Sequence, residues 1–99
     1  MESRIPLDGE RLSALCRARH IRRLALFGSV LRDDFGPDSD VDILVEFEPD
    51  HTPGLAFFDI QEELSRLVGR TVDLHTAASL SGSIRERVVD EAEVQFDAA

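Results

Sequence analysis

Apolar and polar residues form alternating segments of helix-like and strand-like pattern along the chain. Apolar residues recur at helical spacing after Asp8, a good N-cap, and predict a first helix over residues 8–19. Apolar runs at 24–27 and 41–47 predict two strands, and the segment 34–39 between them is a loop by its Gly, Pro and Asp content. The side chains expected to face inward on the first helix are Leu12, Leu15 and Cys16.

The second half of the chain continues this alternation. A Thr-Pro pair followed by an apolar stripe at helical spacing predicts a helix over 52–68, with Gly69 as its C-cap glycine. A short strand is expected at 71–75, a last helix from about Ser83, and a final strand or tail at 94–96. Such alternation predicts an α/β domain. The side chains expected to face inward on the last helix are Ile84, Val88, Val89 and Ala92.

Length and composition exclude several classes of protein. The 99 residues suit one domain, so a single domain over 1–99 is expected. The net charge of −9 makes long DNA or RNA a poor partner, because such a surface repels phosphate backbones. All 11 basic residues are Arg, which excludes a lysine Schiff base and a P-loop. Cys16 cannot form an internal disulfide and is expected in the core, and no apolar run is long enough for a membrane span, so the cytoplasm is the default location.

Three aspartates in strand-like segments are the candidate metal ligands. Asp40 and Asp42 point to one face, because alternate residues of a strand do so, and their carboxylates would repel each other without a cation between them. Mg²⁺ meets that need, and two such ions can clamp the attacking and leaving oxygens of a phosphoryl transfer. Asp73 completes the site if its strand lies beside the second strand, where it would bind one metal and accept the proton of the attacking hydroxyl.

A glycine–serine pair directly after the first strand is the candidate phosphate-binding turn. Gly28 lets the backbone come close to a ligand, and Ser29 can cap a helical turn whose free N–H groups favour phosphate. Arg32, one turn further on, either reaches the same phosphates or forms an ion pair with the neighbouring Asp33 or Asp34.

Together these residues give the order Gly-Ser, ten residues, Asp-x-Asp. This order resembles the signature of the DNA polymerase β-like nucleotidyltransferase superfamily. Within the superfamily, the wording SDVDILVEF and the helical ending IRERVVDEA are most similar to the minimal nucleotidyltransferases. The resemblance covers about residues 24–96, with one departure: the family often has Gly-Asp after the arginine, where this chain has Asp33-Asp34.

The resemblance implies a nucleotidyltransferase fold, with a mixed β-sheet flanked by helices. It implies ATP as substrate, two Mg²⁺ ions held by Asp40, Asp42 and Asp73, and phosphate binding by Gly28 and Ser29. It further implies an antitoxin paired with a HEPN-domain ribonuclease toxin, since some family members transfer AMP onto a tyrosine of that partner. The size of the chain favours a protein acceptor, because the catalytic core leaves little material for a second substrate pocket.

Three other functions stay open at this point. A non-enzymatic antitoxin would block its partner by contact alone, although pure binding does not need three aspartates. A small-molecule nucleotidyltransferase of the aminoglycoside type would be completed by a partner chain. An acidic structural domain would carry the motifs by chance.

The remaining polar residues are interpreted structurally. His75 shares a strand face with Asp73 and is expected to be a bystander, and Glu46 is expected to lie beyond reach of the metals. Four arginines are predicted to cluster at the end of the first helix, where cations complement the helix dipole, with a partner-docking patch as the alternative: Arg17, Arg19, Arg22 and Arg23.

Overall fold

A computed structural model of the chain describes residues 8–28, 36, 39–76, 80 and 82–98. Within these ranges, helices and strands follow one another much as the hydrophobic pattern predicts. The elements are α1 (Gly9–Ala18), β1 (Ile21–Phe27), β2 (Val41–Phe47), α2 (Ala56–Val68), β3 (Val72–Thr76), α3 (Gly82–Glu91) and β4 (Glu93–Asp97).

The four strands form one mixed sheet in the order β3-β2-β1-β4. Strand β1 pairs antiparallel with both β2 and β4, whereas β2 and β3 are parallel and are joined through α2. Parallel strands need such a crossover, because a tight turn can only reverse the chain direction. The predicted α/β class with a mixed sheet is therefore confirmed, and β3 lies beside β2 as the candidate site requires.

One face of the sheet packs against α1 and α2 and forms the main core. Leu12 and Cys16 of α1 are buried there, as predicted, and burial raises the pKa of the Cys16 thiol to about 12. The ends of the two helices follow their expected caps: the Asp8 side chain accepts hydrogen bonds at the start of α1, and Gly69 adopts φ 77° after α2. Other buried members of this core are Ile21, Leu24, Leu26, Val41, Ile43, Val45, Ile60, Leu64, Val68, Val72, Leu74 and Phe96.

A smaller apolar cluster lies on the opposite face of the sheet. Phe27 of β1 and Leu44 of β2 are buried against Val88 of α3, and Leu80 and Ala92 pack at its margin. The inward positions predicted for Val88 and Ala92 are confirmed, whereas the side chains of Ile84 and Val89 lie outside the described residues.

The start of α2 differs from the prediction. Thr52 was expected to cap a helix with Pro53 at its first position, but α2 begins at Ala56, after Leu55. Gly54 has φ 62°, which a right-handed helix cannot contain, so the helix cannot run from Pro53 without a break. A turn occupies these residues instead, with the Ala56 N–H donating to the Pro53 carbonyl at 3.2 Å.

The first strand is longer than predicted, and this corrects the arginine cluster. Strand β1 begins at Ile21, so Arg22 and Arg23 lie on the strand rather than at the end of α1. Arg22 Nη2 donates to Glu46 Oε1 at 3.3 Å, and Arg23 Nη2 donates to Asp97 Oδ2 at the same distance. Cross-strand ion pairs of this kind make charged residues acceptable within the sheet.

The bounds of β3, α3 and β4 lie close to the predicted ones. Strand β3 is shifted by one residue from the predicted 71–75, the last helix begins next to the expected Ser83, and 94–96 belongs to strand β4 rather than to a tail. Among the described residues, none of the helices is both long and apolar enough to cross a membrane.

Candidate active site

Asp42 and Asp73 lie side by side on the sheet face opposite α1 and α2. They are register partners across the parallel pair β2–β3, and each is flanked by buried apolar residues of its own strand. The Asp42 side chain is 27% exposed and that of Asp73 is 56% exposed. The sequence-based prediction that the two carboxylates meet across neighbouring strands agrees with this placement.

Side chains of α2 hold strand β3 in place. Because β3 is an edge strand, two of its N–H groups point away from β2. The Val72 N–H donates to Ser65 Oγ at 3.0 Å, and the Leu74 N–H donates to Gln61 Oε1 at 2.9 Å. These two bonds bracket Asp73, so the helix holds the backbone on both sides of this residue. Gln61 and Ser65 were not predicted as site residues, although two polar residues four positions apart beside an apolar helix stripe are a detectable signal.

His75, expected on the same strand face as Asp73, approaches both carboxylates, and its bystander role stays a prediction. Its Nε2 atom lies 3.5 Å from Asp42 Oδ1 and 3.4 Å from Asp73 Oδ2. The ring also meets Phe27 edge to face, with 5.2 Å between ring centroids. Nε2 is buried and makes no hydrogen bond among the described residues, which is unusual for a polar atom inside a protein.

Gly28 fits directly against the Asp42 carboxylate. It follows β1 with φ 78°, and a Cβ built there would meet Asp42 Oδ2 and come within 3.2 Å of Asp42 Cγ. Phe27 is the register partner of Asp42, which explains why the next residue is so close. Glycine at this position is therefore required twice: for the left-handed backbone and for the space that the carboxylate fills.

The surroundings of Asp42 shift the pKa of its carboxyl. Burial raises the pKa of its carboxyl above the ordinary value, and the charge of His75 acts in the opposite direction. The neighbouring charges of Asp73 and Asp40 raise the pKa further. A carboxylate held charged in such surroundings gains from a bound cation.

The donor set fits a divalent metal ion. One ligand atom each from Asp42, Asp73 and His75 lies within 4.8 Å of the others. Magnesium is commonly held by one or two carboxylates together with water and substrate phosphates, so the two aspartates suffice. Asp40 lies just before β2 with an exposed side chain, outside this three-residue group, although its charge acts on Asp42.

The remaining predicted residues either lie away from the carboxylates or fall outside the residues that the structure describes. Ser29 and Arg32 are outside the described residues. Glu46 lies on the same strand as Asp42 and forms ion pairs with Arg22 and Arg23, so it belongs to a different part of the sheet face, as expected.

Comparison with known proteins identifies the class. Residues 10–94 match the nucleotidyltransferase domain family, and the chain therefore belongs to that family and is a nucleotidyltransferase. The mixed sheet is the one that the resemblance implied, and β3 lies beside β2, which is the condition on which Asp73 was predicted to join Asp42.

Individual relatives narrow the class to the minimal nucleotidyltransferases. Over 72 residues the chain is 42% identical to the protein adenylyltransferase MntA of Thermococcus cleftensis, covering 72% of this chain and 71% of that protein. A crystal structure of a toxin–antitoxin with AMP-PNP shares the fold, with TM-score 0.73 and 24% identity over 92% of this chain and 74% of that one. So does a Shewanella oneidensis complex of a tri-AMPylated HEPN toxin with its MNT antitoxin, with TM-score 0.65 and 22% identity over 90% of this chain and 69% of that one.

Proposed function

We propose that this chain transfers AMP from ATP to a hydroxyl group of a partner protein, and that the partner is a HEPN-domain toxin which it silences. A tyrosine hydroxyl is the proposed acceptor. Membership of the nucleotidyltransferase family and the 42% identity to a protein adenylyltransferase support the reaction. The complex of an AMPylated HEPN toxin with an MNT antitoxin, which shares the fold, supports the partner.

The observation that carries the proposal is the register pairing of Asp42 with Asp73. Two carboxylates on neighbouring strands, one of them partly buried, are costly unless a bound cation offsets their repulsion. A protein that acted by contact alone would have no need to keep this pair on the open face of its sheet. The non-enzymatic antitoxin therefore explains less of the site than the transferase does.

The proposed reaction is an in-line displacement at the α-phosphorus of ATP. A bond forms between the acceptor oxygen and the α-phosphorus, and the bond to the bridging oxygen breaks, so that pyrophosphate leaves with the electron pair. The acceptor hydroxyl loses its proton, and Asp73, the more exposed carboxylate of the pair, is the proposed proton acceptor. Gly28, Ser29 and Arg32 are proposed to hold the phosphates. Positioning and charge neutralisation supply most of the rate in such reactions.

Two Mg²⁺ ions are proposed as the cofactor, with Asp40, Asp42 and Asp73 as their ligands. When bound, such ions would neutralise the charge of the triphosphate and of the developing oxyanions. Asp73 is the register partner of Asp42, and the charge of Asp40 acts on the Asp42 carboxyl, which supports a site shared by the three residues. A reaction that consumes ATP is proposed to take place in the cytoplasm.

The experiment that tests the proposal follows the label of ATP onto a protein. The chain is incubated with Mg²⁺, [α-³²P]ATP and a HEPN-domain protein as the candidate partner, and a parallel reaction contains [γ-³²P]ATP. Label on the HEPN-domain protein from the α-phosphate alone is expected, because AMP retains only that phosphate. Label from both forms would indicate that a different group is transferred.

Two variants separate catalysis from binding. The double variant Asp40→Asn/Asp42→Asn is expected to form the complex but to transfer no label. The matched control is Asp50→Asn, since Asp50 is exposed and has φ 65°, a conformation that asparagine tolerates. If toxin is silenced equally well by the double variant, with no label in any reaction, the binding-only antitoxin is the correct function.

A further inference from the structure

We infer that His75 is a nitrogen ligand of the metal ion held between Asp42 and Asp73, and that it makes this site prefer a first-row transition ion such as Mn²⁺ over Mg²⁺. The inference deepens the proposed function and rests on it, because it concerns the ion of the same site. It assigns to His75 a role that the sequence pattern did not predict.

The position of Nε2 relative to the two carboxylates is the first argument. The distances of 3.5 Å to Asp42 and 3.4 Å to Asp73 are too long for charge-assisted hydrogen bonds, which span about 2.7–2.9 Å. They suit donors that share an ion, since ligands about 2.1 Å from one metal lie about 3.0–3.4 Å apart in octahedral and tetrahedral sites. Nε2 is thus spaced from each carboxylate as a ligand of a common ion would be, and the three donor atoms lie within 4.8 Å of one another.

The burial of Nε2 is the second argument. The atom is shielded from solvent and has no hydrogen-bond partner among the described residues, while the side chain as a whole is 25% exposed. A buried polar atom without a partner costs about 1–3 kcal/mol, so such atoms usually have a ligand. A metal ion between the two carboxylates would occupy the lone pair of Nε2.

The strands beneath His75 hold its ring in the required direction. Leu44, buried in the smaller apolar cluster, is the register partner of His75 on β2. Phe27, from β1, meets the imidazole at an interplanar angle of 66°. With apolar neighbours on these sides, the ring presents Nε2 towards the carboxylates without needing the metal to orient it.

The chemistry of the donor set gives the ion preference. Magnesium favours oxygen ligands and near-ideal octahedral geometry. Imidazole nitrogen favours transition ions, whose affinities rise from Mn²⁺ onwards along the first row. The imidazole nitrogen of His75, added to two carboxylate oxygens, therefore raises the affinity for Mn²⁺ more than the affinity for Mg²⁺.

Electron spin-echo spectroscopy of bound Mn²⁺ reports the ligand directly. The full chain is grown with ¹⁵N-labelled histidine, loaded with Mn²⁺ alone, and compared with the unlabelled chain. A nitrogen coupling that changes with the isotope is expected, and it should disappear in His75→Gln. Mn²⁺ affinity in that variant should fall at least about tenfold, and Mg²⁺ affinity by much less.

The chain offers a matched control for the histidine substitution. His51→Gln makes the same change in a ring that stacks on His20, with centroids 3.9 Å apart, rather than one that faces the carboxylates. It should keep both the coupling and the Mn²⁺ affinity. Asp42→Asn should abolish Mn²⁺ binding, which assigns the signal to this site.

The outcomes distinguish the inference from the proposed function. Bound Mn²⁺ that requires Asp42 but shows no histidine nitrogen would overturn the role of His75 and leave the transferase intact. A coupling retained in His75→Gln would also overturn the role of His75. Failure of the wild-type chain to bind Mn²⁺ would contradict both the ligand and the proposed metal site, whereas label transfer onto the partner protein would still test the reaction by itself.

Discussion

The two faces of the four-stranded sheet contain different kinds of side chain. The face covered by α1 and α2 is packed with aliphatic residues such as Leu24, Ile43 and Leu64, each nearly inaccessible to solvent. The opposite face combines the small apolar cluster around Leu44 with polar groups of the candidate site. Neighbouring residues of one strand therefore belong to two environments, since successive side chains point to opposite faces.

This difference shows how a small protein can keep a costly site. Asp42 stands between Val41 and Ile43, both fully buried on the covered face. Their packing fixes the strand register, and the register in turn sets Asp42 beside Asp73. The covered face thus supplies the free energy of folding that holds together carboxylates which repel each other. Changes on the two faces should accordingly have separable effects on stability and on catalysis.

The largest expected effect is the loss of activity in Asp42→Asn. Nucleotidyl transfer should fall on the order of a thousandfold, equivalent to about 4 kcal/mol of transition-state stabilisation, because a metal ligand is lost. The metal-free variant should nevertheless be at least as stable at pH 7. Burial raises the pKa of Asp42, so the folded chain binds the proton more tightly than the unfolded chain, and ionisation opposes folding.

Steady-state label transfer and urea unfolding measure the two quantities on the same preparation. If Asp42→Asn lowered the free energy of unfolding together with the activity, this carboxylate would support the fold rather than the reaction. The Asp50→Asn variant should change neither quantity, because its side chain is exposed.

The converse change on the covered face is Leu64→Ala. Leu64 is fully buried in the main core, so its truncation leaves a cavity and should lower the free energy of unfolding by about 3 kcal/mol. Activity per folded molecule should change little, because the site lies on the other face. Phe58→Ala is the control on the same helix: with 63% of Phe58 exposed, urea unfolding should detect a loss below about 0.5 kcal/mol.

Gly28→Ala tests the contact between the end of β1 and the site. The alanine would be strained at φ 78°, at a cost of about 1–2 kcal/mol, and its Cβ would displace the Asp42 carboxylate. We expect that loss of stability together with at least about a tenfold loss of activity. Thermal unfolding and label transfer provide the two measurements.

Gly69→Ala is a closely matched control for this substitution. Gly69 has φ 77°, yet a Cβ there would meet nothing within 4 Å. It should therefore lose stability through the same backbone strain and retain activity. Similar activities in the two variants would show that the carboxylate does not depend on the space at Gly28.

How far the sequence predicts this molecule depends on the range of the interactions involved. Strand β2 has the predicted bounds because its apolar run, 41–47, ends at local signals. The meeting of Asp42 with Asp73 was predicted on the condition that the third strand lies beside the second, and the pairing of β2 with β3 meets that condition. Local pattern failed at the start of α2, because Thr-Pro is an adequate cap in isolation and only the positive φ of Gly54 prevents its use.

Contacts between distant residues are the part of the structure that the sequence pattern does not reveal. Arg22 and Arg23 read as the polar end of a helix, but Glu46 and Asp97 from neighbouring strands pair with them across the sheet. His75 contacts Phe27 edge to face and approaches both carboxylates, and alternation along one strand reveals neither contact. Sequence patterns thus predicted which residues share a face, but not the cross-strand partners of Arg22, Arg23 and His75.

The smallest expected effect concerns the rim of the covered face. Arg19, after α1, donates to Glu63 of α2 through Nε at 3.2 Å, and this hydrogen bond holds the pKa of Glu63 below its ordinary range. Both side chains are about one-third exposed, at 32% and 34%, so solvent screens the pair. Glu63→Gln should therefore lower the free energy of unfolding at pH 7 by only about 0.5–1 kcal/mol.

The difference in the free energy of unfolding between wild type and Glu63→Gln should depend on pH. A lowered pKa means that the folded chain favours the charged carboxylate, so the stabilisation is present at neutral pH and is lost as the pH falls through the folded-state pKa of Glu63. Urea unfolding should show wild type and Glu63→Gln converging in acid. Glu62→Gln, which breaks a more exposed pair with Arg66, should cost less still. A loss above about 2 kcal/mol in Glu63→Gln would contradict this prediction, because a screened ion pair would then stabilise the fold about as much as a buried leucine side chain does. The stabilising free energy of the covered face would then not be confined to its apolar core.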